Sequence, residues 1–192
     1  MHSLFSDVSV SLNEKLVSPP TSLYPDRAYI ETLLNYGPAA KESQLTGVMW
    51  YKDRPGHQDK TTAANKGSTS RKALTAQSKS VQMMGKLHLD LFCQEEYLLN
   101  HVNLKIKLRR SRDVFALMAD ADNYKIKIRD LALFMRNVQL SPAVRMGHVK
   151  ALEMTSCKYP IRRREIKVDK VPRDKMNYVQ DNMFWDSYRK DW

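Results

Sequence analysis

Lys105, Lys107 and Arg109 fall at every second position, and Lys125, Lys127 and Arg129 repeat the spacing further along the chain. Leu104, Ile106 and Leu108 fill the gaps in the first set; Tyr124, Ile126 and Ile128 precede and separate the cations of the second. Successive side chains of a strand point to opposite faces, so each run reads as a half-buried strand with one cationic face. Two such strands side by side would form a cationic plate, and Arg162, Arg163 and Arg164 would extend it with guanidinium forks that match phosphate oxygens. No aromatic residue is interleaved among the charges, so base stacking is not expected. Contact with nucleic acid would then be to the phosphate backbone, independent of sequence and sensitive to salt. The competing reading is a solvated sheet face whose lysines discourage edge-to-edge aggregation.

Other residues with reactive side chains do not assemble into a site. Asp120 and Asp122 open like a calcium loop, but Tyr124 stands where the next ligand belongs and the sharp-turn glycine is missing. His88, His101 and His148 are scattered, none at metal-ligand spacing from Cys93 or Cys157. His88 lies on the polar parity of its run and reads as solvated, whereas Cys93 lies on the apolar parity and reads as a small buried hydrophobe. Gly85-Lys86 lacks the rest of a phosphate-binding loop, and no serine has glycines on both sides at nucleophile-elbow spacing. The expectation is a non-enzymatic protein with no catalytic residue, cofactor, metal or small-molecule substrate.

Composition narrows the partners. The chain of 192 residues is 42% hydrophobic, enough for a core, and carries a net charge of +11 that favours polyanions. Two cysteines make no disulfide framework. No secretory signal or bilayer-length apolar run is visible, so the protein is expected to be soluble and intracellular in origin.

The elements that would position the charges read as follows. Val8, Val10 and Leu12 alternate with serines and lead through Asn13-Glu14 to a hairpin return. "PDRAYIETLLNYGP" reads as a helix with Tyr29, Leu33 and Tyr36 on one face, and "AAKESQLTGVMWY" as a second short one. Residues 52–70 read as an exposed loop. "VQMMGKLHLDLFC" reads as a long strand with Gly85 at a bulge or close approach, and "VFALM" as a short one. A bulge near Asp130-Leu131 and a segment buried on both faces follow. "SPAVRMGHVKALEMTS" is a helix capped by Ser141, and "KYPIRRREIKVDKVP" is another strand. Seven or eight strands with helices only in the connections predict a mainly β fold, a jelly-roll sandwich or barrel over residues 1–170, followed by an aromatic, basic tail at 171–192.

Longer stretches carry a resemblance. "MHSLFSDVSVSLNEKLVSP", "YPDRAYIETLLNYGPAAKESQL", "KSVQMMGKLHLDLFCQEEYLLNHVNLKIKLRRSRDVFALM", "YKIKIRDLALFMRNVQLSPAVRMGHVKALE" and "KYPIRRREIKV" occur in the order that resembles the double jelly-roll major capsid proteins of Polinton (Maverick) elements and adintovirus-like insertions in animal genomes. The resemblance implies a structural role in a virion, two barrels per subunit and homotrimeric capsomers, with packaged DNA as a further contact. Strands for only one barrel are countable here, so the expectation is a chain shortened after the first barrel. The alternative is a basic β-sandwich that binds nucleic acid or a partner protein without a capsid role.

Overall fold

The computed structural model describes residues 1–18, 22–119, 124–166 and 168. Strand β1 (Phe5–Leu12) turns into the two-residue strand β2 (Lys15–Leu16), pairing Ser11 with Leu16 and Leu12 with Lys15. Asn13 (φ 45°) and Glu14 (φ 68°) make the connection, both left-handed, as a two-residue turn matching strand twist requires. Asn13 suits that conformation and its side chain also accepts from Asn103 N at 2.8 Å. Past β2, Ser18 Oγ accepts from Val10 N at 2.7 Å and continues the pairing with a side chain.

Strand β3 (Leu104–Arg110) lies antiparallel on the other edge of β1, giving the order β2-β1-β3. Val8, Val10 and Leu12 face Leu108, Ile106 and Leu104; Ser9 and Ser11 face Lys107 and Lys105. The register slips between Phe5 and Asp7, and Ser6 Oγ donates to Arg109 O at 3.3 Å beside the slip. This extra residue flips the parity of β1, so Phe5 and Val8 both reach the core although they stand three positions apart.

Helix α1 (Tyr24–Asn35) and the extended residues 81–89 cover the apolar sheet face. Phe5, Val8, Val10, Tyr24, Leu89 and Leu91 form the buried core, with Leu87, Ile106, Leu108 and Ile161 packed around it. The short helix α2 (Pro38–Glu42) follows α1, and a 3-10 turn at Gln44–Val48 leads to helix α3 (Lys66–Thr75). Helix α4 (Asp113–Ala116) is one turn, and α5 (Pro142–Met154) starts where Ser141 Oγ accepts from Val144 N at 3.4 Å.

The mainly β, jelly-roll expectation is overturned: the described residues contain a single three-stranded sheet alongside five α-helices. Alternation fixes which faces of an extended segment are greasy, not whether a backbone partner exists. Residues 81–89 show this best. Leu87 and Leu89 keep the expected parity and Leu89 is buried, yet the run joins no ladder and ends in a 3-10 turn at Asp90–Cys93 that leaves Cys93 exposed. "VFALM" begins inside α4, and residues 124–140 and 156–166 belong to neither helix nor strand. The segment at 131–138 is exposed rather than buried on both faces. In the stretch read as an exposed loop at 52–70, residues 66–70 belong to α3 and Asn65 is fully buried. The tail at 171–192 and the turn at 120–123 lie outside the described residues.

Candidate functional site

The densest polar chemistry is a cluster under α1. That helix buries Arg27, Ala28, Glu31 and Thr32 and leaves Tyr29, Ile30, Leu33 and Leu34 exposed. The apolar stripe that predicts the helix is therefore not its buried face; Tyr29 instead stacks on Trp50 at 5.5 Å. Arg27 is the hub. Its Nε donates to Glu31 Oε1 at 3.1 Å, its Nη1 to Asp90 Oδ2 at 3.3 Å, and its Nη2 to Asp90 Oδ1. Glu31 Oε2 lies 2.8 Å from His88 Nδ1, and Arg164 Nη1 reaches Glu31 Oε1 at 3.3 Å. Arg164 also donates its backbone N–H to Asp90 Oδ2 at 3.4 Å.

A second polar layer sits on the first. Thr32 Oγ1 donates to Ala28 O at 2.6 Å and lies 3.5 Å from His88 Nε2. His2 Nδ1 is 3.1 Å from Tyr24 Oη, and the His2 and His88 rings meet edge-on with centroids 4.7 Å apart. Buried ionic groups keep their charge only when paired and hydrogen-bonded, and here each one is. Burial opposes the Arg27 charge, but Asp90 and then Glu31 outweigh it and raise its pKa above the ordinary value. Burial likewise pushes the Glu31 carboxyl up, and the bonds from His88 and Arg27 overcome that and hold it below the usual value. Burial drives Tyr24 up to about 12 and His2 down to about 3, the latter helped by the charge of His88.

Chemically the cluster is a cross-link. Its carboxylates are taken by guanidiniums, and it ties α1, residues 81–93 and the returning residues 155–166 into one unit. Among the described residues no group of three or more His, Cys, Asp or Glu side chains could hold a metal ion. The solvated reading of His88 is corrected: it is 7% exposed and bonded to Glu31. Its neighbour in parity, Asp90, was equally hidden in the sequence, since an even-numbered polar residue in an alternating run reads as solvent-facing. The one legible signal was Arg27 and Glu31 at four-residue spacing on a helix.

The cationic residues are placed differently from the expected plate. Lys105, Lys107 and Arg109 stand exposed on β3, opposite Ser11, Ser9 and Asp7 of β1. Lys125, Lys127 and Arg129 are exposed on a segment that is not part of the sheet. It is tied to the end of β3 by Arg110, whose Nη2 donates to Ile126 O, and to the start of α4 by Asp113, whose Oδ1 accepts from Ile126 N at 3.4 Å. Arg162 and Arg163 are exposed, whereas Arg164 turns its guanidinium into the cluster and leaves the set. His101 and His148 are exposed and apart from the cluster's bonds.

Among the described residues no helix is long and apolar enough to cross a membrane. No family model matches the chain, and no solved structure matches it. The chain is similar to an uncharacterized protein of Caenorhabditis elegans, 26% identical over 144 residues. That alignment covers 73% of this chain and 32% of the relative, so the chain matches about a third of the length of the curated protein it resembles.

Proposed function

We propose that this chain is a non-enzymatic structural subunit that self-associates, in the manner of a capsid-like shell protein. The observation that carries the reading is the apolar surface after β3. Tyr124, Leu131, Leu133, Phe134 and Met135 are exposed in one stretch, and α5 has no buried residue although Val144, Met146, Val149, Leu152 and Met154 lie along it. Monomeric proteins rarely leave so much contiguous apolar surface in water. Further copies of the chain would cover it, and a segment outside helix and sheet is suited to strand addition. The capsid-like motif order supports the same reading, without the barrel architecture. Size-exclusion chromatography with light scattering at low and high salt tests it. A salt-resistant trimer is expected, and a monomer at micromolar concentration would overturn it.

A second reading is favoured by the lysines of β3. Lys105 and Lys107 project among serines, a surface that would meet phosphate oxygens without specificity. In a shell subunit this face would contact packaged DNA; in a monomer it would be the main activity. DNA titration at two salt concentrations tests it.

A further inference from the structure

Residues 1–4 are fastened by several small contacts around one titratable ring. The Leu4 carbonyl accepts from Ser111 N at 2.9 Å, and Leu4 N donates to Met1 O at 3.0 Å. The Met1 Cε methyl fills the space beside Gly85, 2.8 Å from where a Cβ would stand. Between these points the His2 ring is seated on Tyr24 and against His88.

We propose that residues 1–4 form an acid-released clip, in which protonation of His2 unseats the segment from Tyr24 and His88 while α1 and the sheet stay folded. His2 Nδ1 lies 3.1 Å from the Tyr24 hydroxyl, which can donate to a neutral ring or accept from a protonated one. What protonation adds is a charge on a ring packed against His88. The groups facing this seat are Tyr24, Arg27 and Glu31 from α1, His88 and Asp90 from residues 81–93, Arg164 from the return, and the Met1 amine. Only Glu31 and Asp90 are anionic. Both are bonded to guanidinium groups and Glu31 also to His88, so neither is free to pair with a protonated His2.

The sign follows from the depressed value. Seated His2 sits at about 3 against an ordinary 6.5. The contribution of His2 to seating is therefore fully present above about pH 6.5 and weakens about tenfold per pH unit as the pH falls toward the seated value. The Met1 amine, lowered by burial from 8.0 to about 6, acts in the higher window between those values. The range below pH 6 thus reports His2.

Native-state hydrogen exchange, corrected for intrinsic rates, reads the clip at the Leu4 and Ser111 amides and the body at the Arg27 amide, which bonds to Leu23 O. From pH 6 to pH 4 we expect protection at Leu4 and Ser111 to fall roughly 130-fold in the wild type and about twofold in His2→Gln, with Arg27 unchanged. An equal fall in both proteins, no fall in the wild type, or a parallel fall at Arg27 overturns the proposal. If His2→Gln fails to seat at pH 7, the wild-type His2 ring is titrated by NMR instead: a midpoint well below 6.5, with the Leu4 and Ser111 amides losing protection over the same range, supports the clip, and a midpoint near 6.5, or protection that persists through the transition, overturns it.

Discussion

Arg164 Nη1 lies 3.3 Å from Glu31 Oε1, joining side chains 133 positions apart in the chain. Through this bond the residues after α5 come back to the first helix. The two partners are unequal: the Glu31 side chain is about a tenth exposed and the Arg164 side chain nearly half. Solvent screens the arginine's share, whereas Glu31 holds three partners at once.

Glu31→Ala is therefore expected to cost about 3–5 kcal/mol, since it leaves the Arg27 guanidinium with only Asp90 and takes the partner from His88 Nδ1. Arg164→Ala should cost about 1 kcal/mol or less. Urea unfolding measured on both variants checks the order. Equal losses would mean that the return segment, not α1, is what the cluster stabilises.

The same carboxylate sets an acid limit. Its folded pKa is held below the ordinary 4.5, so its contribution is fully present above that value and is lost as pH falls through the folded one. Glu31→Gln should flatten the dependence of unfolding free energy on pH below about 4.5. A variant whose acid limb keeps the wild-type slope would place the responsible carboxylate elsewhere.

How far the sequence exposes this arrangement depends on which physical signal each residue sends. The β1–β2 hairpin, α1 and α5 are legible because a two- or 3.6-residue period, a left-handed Asn or a Ser cap acts locally. Residues 81–91 send the strand signal through Leu87, Leu89 and Leu91 without being in a strand, because burial of alternate side chains needs a covering surface and not a ladder. The cluster was hidden for the reverse reason. Arg27, Glu31, His88 and Asp90 are the residue types normally turned to water, and only their mutual neutralisation across distant segments lets them be buried. No local pattern contains that information. Asn65 is similar: its side chain accepts from Gly67 N at 3.2 Å and from Arg54 N at 3.2 Å inside what reads as a loop.

If the lysines of β3 bind DNA, the interaction should be readable as salt dependence. Replacing Lys105 and Lys107 with Ser should reduce the slope of log affinity against log salt by about one for each phosphate that a lysine neutralises. Affinity should fall alike on unrelated sequences. An unchanged slope in fluorescence-anisotropy titrations would assign these residues to a solvated face.

Gly67 and Gly85 separate two kinds of close packing. A Cβ on Gly67, inside α3, would stand 2.5 Å from Asp53 Oδ1 and 2.9 Å from the carbonyl oxygens of Lys52 and Tyr51. Two of those three atoms are backbone, and Asp53 is held by Arg71 at 2.6 Å, so the neighbours have little room to move. A Cβ on Gly85 would stand 2.4 Å from Val48 Cγ1 and 2.8 Å from Met1 Cε, both side-chain atoms, and the methionine can swing aside. Glycine to alanine within a helix ordinarily stabilises by up to about 1 kcal/mol. At Gly67 the sign should reverse, with a loss of about 1–3 kcal/mol from overpacking, and Gly85→Ala should lose less. Thermal unfolding of the two variants decides it: a Gly67→Ala protein as stable as the wild type would show that residues 51–53 are not packed against the start of α3.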